Sequence, residues 1–179
     1  TREGRDLLAA QDVARLNTPD WLWSRWTRAY GETAARAMAA QHLQEPPLDI
    51  AVVDAAARDT WAERLGATIL PTGALRLPSG TGDIRRLPGY DDGAWWVQDA
   101  AASLPARLLG DVAGREVLDL CAAPGGKTAQ LVAAGANVLA VDRSTDRVRQ
   151  LVGNLDRLSL AAATVVAEVQ DWSPPTQPS

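Results

Sequence analysis

The sequence predicts an α/β protein in two parts, a small α+β unit up to about Pro88 and then parallel βαβ units. Three observations carry this. After the turn-rich segment LPGYDDG (87–93), short apolar strands alternate with helices, which is the order of a parallel sheet. The buried-strand pattern EVLDL runs into CAAPGG and then into a helical stretch, KTAQLVAAG. The segment STDRVRQLVGNLDRL places Val148, Leu151, Val152, Leu155 and Leu158 on one helical face.

The elements follow in order. Residues up to about Gln11 are polar and weakly helical. Thr18 is expected to cap a helix, with Pro19 at its first position and Asp20 at the positive end of the dipole. Trp21, Leu22, Trp26 and Ala29 share a face, and Gly31 can end the helix. A second helical stretch, GETAARAMAAQHL, stops at Pro46–Pro47. LDIAVVD reads as a strand, and Asp54 caps a helix that closes at Gly66. ATILPTGALRLP reads as a hairpin turning at Pro71–Thr72–Gly73. Beyond the boundary come a strand at AWWVQ, a helix at DAAASLPARLLG, and strands at EVLDL and ANVLAVD. The long amphipathic helix follows, then a third strand, ATVVAEVQD, ending at Asp171.

The 179 residues are 46% hydrophobic and 22% charged, an ordinary balance for a globular protein. No apolar run approaches the roughly 20 residues of a membrane helix. One cysteine excludes an internal disulfide framework, and together these point to the cytoplasm. The net charge of −4 is the opposite of that expected for a free-standing nucleic-acid binder, although a local basic face can still serve. Arg25, Arg28, Arg36, Arg85 and Arg86 are candidates for such a face. Trp21, Trp23, Trp26, Trp95 and Trp96 are candidates for base stacking, with core the favoured reading for Trp21 and Trp26. Of the 18 basic residues a single one is lysine, Lys127, which suggests a place where a compact ammonium is wanted.

Lys127 stands in the stretch with most chemical content, VLDLCAAPGGKTAQ. A glycine turn between a buried strand and a helix presents backbone N–H groups at a positive dipole end, which suits an anionic group. Three ligands compete. A phosphate loop, G-x-x-x-x-G-K-[ST], would need glycine where Cys121 stands. A dinucleotide fingerprint is absent, because the only close glycines are Gly125 and Gly126. S-adenosylmethionine offers a carboxylate to the loop and two ribose hydroxyls to an acid at the end of the next strand. Asp142 is that acid, and Asp171 could receive the adenine amino group. Either acid alone is as easily a helix cap; three consecutive strand ends carrying loop, acid and acid make the stronger pattern.

These residues also resemble a known family. LDLCAAPGGKT, with VQDAAS upstream and VLAVD downstream, is similar to the Sun/Fmu family of bacterial ribosomal-RNA cytosine-C5 methyltransferases (RsmB-like). The resemblance runs from about Leu16 to Asp171 and includes LNTPDWLWSRWTRAYG, PPLDIAVV and LPGYDDGAWWVQDAA. It implies a Rossmann-like methyltransferase domain whose N-terminal part is residues 91–179, preceded at 16–90 by a small RRM-like RNA-binding module. Residues 1–15 would be the trailing end of an upstream NusB-like domain or a linker. It further implies that Cys121, Ala122, Ala123, Pro124, Gly125, Gly126 and Lys127 line the S-adenosylmethionine site, with Asp142 at the ribose and Asp171 near the adenine. The partner would be RNA, that of the small ribosomal subunit, with no metal and no membrane, and the chain would act as a monomer. The family's two catalytic cysteines belong to Asp-Ala-Pro-Cys and Thr-Cys segments that this sequence does not contain. The chain therefore reads as an inactive fragment, and Cys121 as a cofactor-loop residue with no base beside it. A non-catalytic binding remnant and a P-loop nucleotide-binding protein are the alternatives.

Overall fold

The computed structural model describes residues 11–174, and the expectations for residues 1–10 and 175–179 lie outside them. The described residues up to Pro46 form one unit and those from Pro47 onward another.

The first unit is helical. Helix α1 spans Val13–Leu16 and α2 spans Asp20–Gln41, broken at Gly31 (φ 81°, ψ 162°), a conformation that suits a residue without Cβ. The two helical stretches read from the sequence are thus both present and meet at that glycine. Thr18 is not the cap. Pro19 occupies the cap position, and the Thr18 hydroxyl donates back to the Ala14 carbonyl at 2.8 Å. Trp21 is 63% exposed, against its reading as core, because the buried face of α2 is the small pair Ala35 and Ala39. Trp26 is half-buried and meets His42 edge to face at 5.1 Å. Trp23 has the guanidinium carbons of Arg15 and Arg36 at 5.1 and 5.5 Å from its ring centre. Arg36 is itself committed to Asp12 and Glu32.

The second unit contains two sheets. The first is antiparallel: β1 (Asp49–Val52), β2 (Thr68–Ile69), β3 (Leu75–Arg76) and β4 (Trp95–Val97), in the order β2-β3-β1-β4. Helix α3 (Arg58–Leu65) crosses between β1 and β2 and closes at left-handed Gly66, as expected. Asp54 caps a short 3₁₀ turn that leads into α3, its carboxylate accepting from the Ala56 amide at 2.8 Å. The hairpin turns at Gly73, whose amide donates to the Leu70 carbonyl at 2.7 Å. A short helix α4 (Leu104–Arg107) follows a 3₁₀ turn where one longer helix was expected. Pro105 fits only a first turn, which shortens it.

The second sheet is parallel: β5 (Glu116–Leu120), β6 (Asn137–Asp142) and β7 (Ala163–Val166), in that order, in register from Glu116↔Asn137 to Asp142↔Val166. Helices α5 (Gly126–Ala133) and α6 (Thr145–Arg157) make the crossovers. The amphipathic reading of α6 holds for Val148, Leu151, Leu155 and the following Leu158, all buried, while Val152 is 37% exposed. The third strand is shorter than expected. It ends at Val166, and Val169–Asp171 is a 3₁₀ turn.

Strand β4 serves two cores. Adjacent strand residues face opposite ways, so Trp95 packs with Ile50, Leu75 and Leu77 while Trp96 packs with Ala129, Leu151 and Leu155. Both rings are buried, which removes them from the base-stacking candidates. Among the described residues no helix is long and apolar enough to cross a membrane.

Candidate functional site

The carboxyl ends of β5, β6 and β7 meet along one edge, where open parallel sheets bind ligands. A cavity of about 360 Å³ opens there, lined by Cys121 after β5, by Asp142 with Arg143 and Arg147, and by Glu168 and Gln170 after β7.

The loop after β5 is held in an unusual shape. Cys121 has φ +61°, rare for a residue with a Cβ, and the Ala123–Pro124 peptide is cis. The Ala122 amide donates to the Val141 carbonyl at 3.0 Å, and the Ala123 amide donates to Oδ2 of Asp142 at 3.1 Å. Gly125 (φ 103°) starts α5, and a Cβ built on it would lie 3.0 Å from Cγ of Leu151. This position therefore needs glycine for both conformation and space. Asn154 Nδ2 donates to the Pro124 carbonyl at 2.9 Å, so α6 braces the loop from below. The strand and the helix that flank the loop are tied by buried Thr128, whose hydroxyl donates to Oδ2 of buried Asp119 at 2.6 Å.

Asp142 is 2% exposed. Its Oδ1 accepts from the Ser144 amide at 3.1 Å, and Arg147 Nη1 lies 3.6 Å from Oδ2. Ser144, not Asp142, caps α6. Each carboxylate oxygen takes one backbone N–H, which leaves acceptor capacity on both for a ligand's hydroxyls. Arg147 also donates to the Ala123 carbonyl, so one guanidinium spans the loop and the acid.

The sequence-predicted residues separate here. Cys121 and Asp142 come together in the cavity. Ala122 and Ala123 are buried, while Pro124, Gly125 and Gly126 line a neighbouring cavity of about 330 Å³ with Tyr90 and Asn154. Lys127 is exposed in the first turn of α5 and lines neither. Asp171 is exposed, lies five positions past the end of β7 and also lines neither. The expectation that it ends the third strand fails because the strand stops early. Glu168, two positions past that end, takes its place at the cavity and stands 3.9 Å from Arg143. The signal for Glu168 was the β-pattern ATVV ending before it, which the apolar Val169 obscured.

A buried acid after β6, an acid after β7 and a glycine-started helix after β5 fit a ligand carrying two hydroxyls, an amine and a carboxylate.

Comparison with known proteins agrees with that geometry. Residues 106–177 match the family model described as 16S rRNA methyltransferase RsmB/F. The ribosomal RNA small subunit methyltransferase B of Pseudomonas putida is 34% identical over 95% of this chain and 42% of its own length. That of Citrobacter koseri is 37% identical over 90% of this chain and 40% of its own. The chain thus spans roughly two fifths of the curated relatives it matches. Among solved structures, a methyltransferase homolog protein from Pyrococcus horikoshii has a TM-score of 0.70 at 22% identity, covering 87% of this chain and 55% of that one. NSun6 from the same organism, solved with SFG, has a TM-score of 0.69 at 16% identity, covering 84% and 65%.

Proposed function

We propose that the chain belongs to the Sun/Fmu (RsmB/F) family and is the cofactor-binding portion of an S-adenosylmethionine-dependent ribosomal-RNA cytosine-C5 methyltransferase. The observation that carries the proposal is the meeting of Cys121, Asp142 and Glu168 at one cavity on the carboxyl edge of the parallel sheet. S-adenosylmethionine, when bound, supplies an activated methyl group. Asp142 would accept from the ribose hydroxyls and Glu168 from the adenine amino group, in place of the Asp171 expected from sequence. The loop 121–126 and the amides opening α5 would take the methionine carboxylate. Gly125 helps hold the loop in shape, because a side chain there would press on Leu151. That NSun6 is similar in fold and was solved with SFG, an S-adenosylmethionine analogue, points the same way.

Cys121 is assigned to the cofactor cavity and not to catalysis. It lines the cavity with Asp142, Arg143 and Arg147, and the unit from Pro47 onward contains no histidine that could activate a thiol. The antiparallel sheet supports the RRM-like reading of the preceding module. Its order β2-β3-β1-β4 around one crossing helix is that of a split βαβ arrangement, although a 3₁₀ turn at Ile84–Arg86 stands where a second helix would lie. Arg86, with its side chain 89% exposed, is the freer candidate for RNA there, since Arg85 leans on Asp83 at 3.2 Å. Small-subunit ribosomal RNA as substrate, a monomeric state and a cytoplasmic location complete the proposal.

Isothermal titration of the chain with S-adenosylhomocysteine and with GTP tests the cofactor assignment. Binding of the first and not of the second is expected. GTP binding that survives Asp142→Ala would overturn it in favour of a phosphate loop.

A further inference from the structure

A third cavity, of about 250 Å³, lies between the antiparallel sheet and the α4–α5 region, away from the strand-end cavity. Two arginines line it, Arg58 from α3 and Arg107 from α4, and no carboxylate does. In a chain of net charge −4 that is an unusual enclosure. Neither arginine takes part in an ion pair among the described residues.

The two glutamines on the wall are already paired. Gln98 Oε1 accepts from the Trp96 indole at 3.2 Å and its amide donates to Gln130 Oε1 at 2.9 Å. Gln130 in turn donates to the Ser103 carbonyl at 3.0 Å. The guanidiniums are not spent. Arg107 gives one N–H to the Thr72 carbonyl and has four more donors. Arg58 Nε is shut off from solvent and has no partner. The hairpin tip makes room for that side chain, since a Cβ on Gly73 (φ +76°) would stand 3.1 Å from Cζ of Arg58.

We infer that this cavity binds one phosphate group, and that the phosphate is a backbone phosphodiester of a bound RNA strand. The phosphate chemistry stands on the two guanidiniums and the missing acid, because guanidinium forks match phosphate oxygens. The assignment to RNA rests on the function proposed above. The volume admits a phosphate with part of its sugar and leaves little for a base, so the contact would position the strand without reading its sequence.

The test uses the whole chain and a fluorescein-labelled single-stranded RNA, with anisotropy read across a salt series. For Arg58→Gln/Arg107→Gln the slope of log K against log salt should fall by about 0.7 per lost phosphate contact. Titration with S-adenosylhomocysteine should be unchanged, which separates failure of this site from failure of the cofactor reading. An unchanged slope in a variant that still melts normally would overturn the inference. Should the double variant not fold, phenylglyoxal labelling of the unmodified protein decides. RNA should protect Arg58 and Arg107 from modification, and labelling equal with and without RNA would overturn the site. Protection and a thermal shift from inorganic phosphate, with none from RNA, would overturn the RNA assignment.

Discussion

The amide of Ala123 donates to Oδ2 of Asp142 at 3.1 Å, joining the loop after β5 to the end of β6. Asp142 therefore holds the shape of the loop as well as facing the cavity. Asp142→Asn keeps the size, removes the charge and sets an amide against a backbone donor. We expect cofactor affinity to fall about a hundredfold, on the order of 3 kcal/mol, measured by titration with S-adenosylhomocysteine.

Glu168 and Asp171 make opposite predictions. Glu168 lines the cavity and Asp171 does not. Glu168→Gln should weaken S-adenosylhomocysteine binding about tenfold, the scale of one charge-assisted hydrogen bond. Asp171→Asn should leave it unchanged. The reverse result would restore the assignment drawn from sequence.

Gly125→Ala should cost stability and affinity together. A left-handed backbone costs a residue with a Cβ about 1–2 kcal/mol, and here the new methyl would press on Leu151. A fall in melting temperature of several degrees is expected, at about 2–4 °C per kcal/mol for a chain of this size. Gly153→Ala, with open space around it, should instead raise the melting temperature.

Asp49 predicts an acid limit. Its buried carboxylate takes Arg76 Nε at 2.7 Å, Arg76 Nη2 at 2.9 Å and the Ala100 amide at 3.1 Å. The Arg76 guanidinium, with help from that amide, holds the carboxyl below the usual range against the opposing effect of burial. A depressed folded pKa means that its stabilisation is complete above the unfolded value near 4 and is lost as pH falls through the lower folded value. Asp49→Ala should cost about 1.5–3 kcal/mol at pH 7, because Arg76 is 42% exposed and can turn to water. Urea denaturation at pH 7 and at pH 3 should show the gap between wild type and variant narrowing at the lower pH.

Much of this was legible in the sequence wherever pattern and punctuation agreed. The parallel strands, α6 with its apolar face, Gly31, Gly66 and the Gly73 turn all stand where they were read. Asp142 was found because a strand ended on it. Asp171 misled because Ala167 and Val169 extend the β-like pattern past the point where pairing stops at Val166. Thr18 misled because a threonine before proline can cap forwards or bond backwards, and only the nearness of α1 decided for Ala14. Trp21 misled because one-sided apolar spacing says which residues share a face, not whether anything covers it. Arg58 and Arg107 gave no signal because the cavity they line joins segments far apart in the chain.

The step from Trp95 to Trp96 has a consequence for how the chain can be divided. A cut in the glycine-rich boundary before Ala94 is where a linker would be sought, yet it would leave the antiparallel sheet without its fourth strand and deprive α6 of the indole packed against Leu151. A single residue inserted before Trp95 would exchange the two rings between their cores. The seam between the two sheets is thus a shared wall. Neither side can be shortened, transplanted or shifted by one place without opening the other.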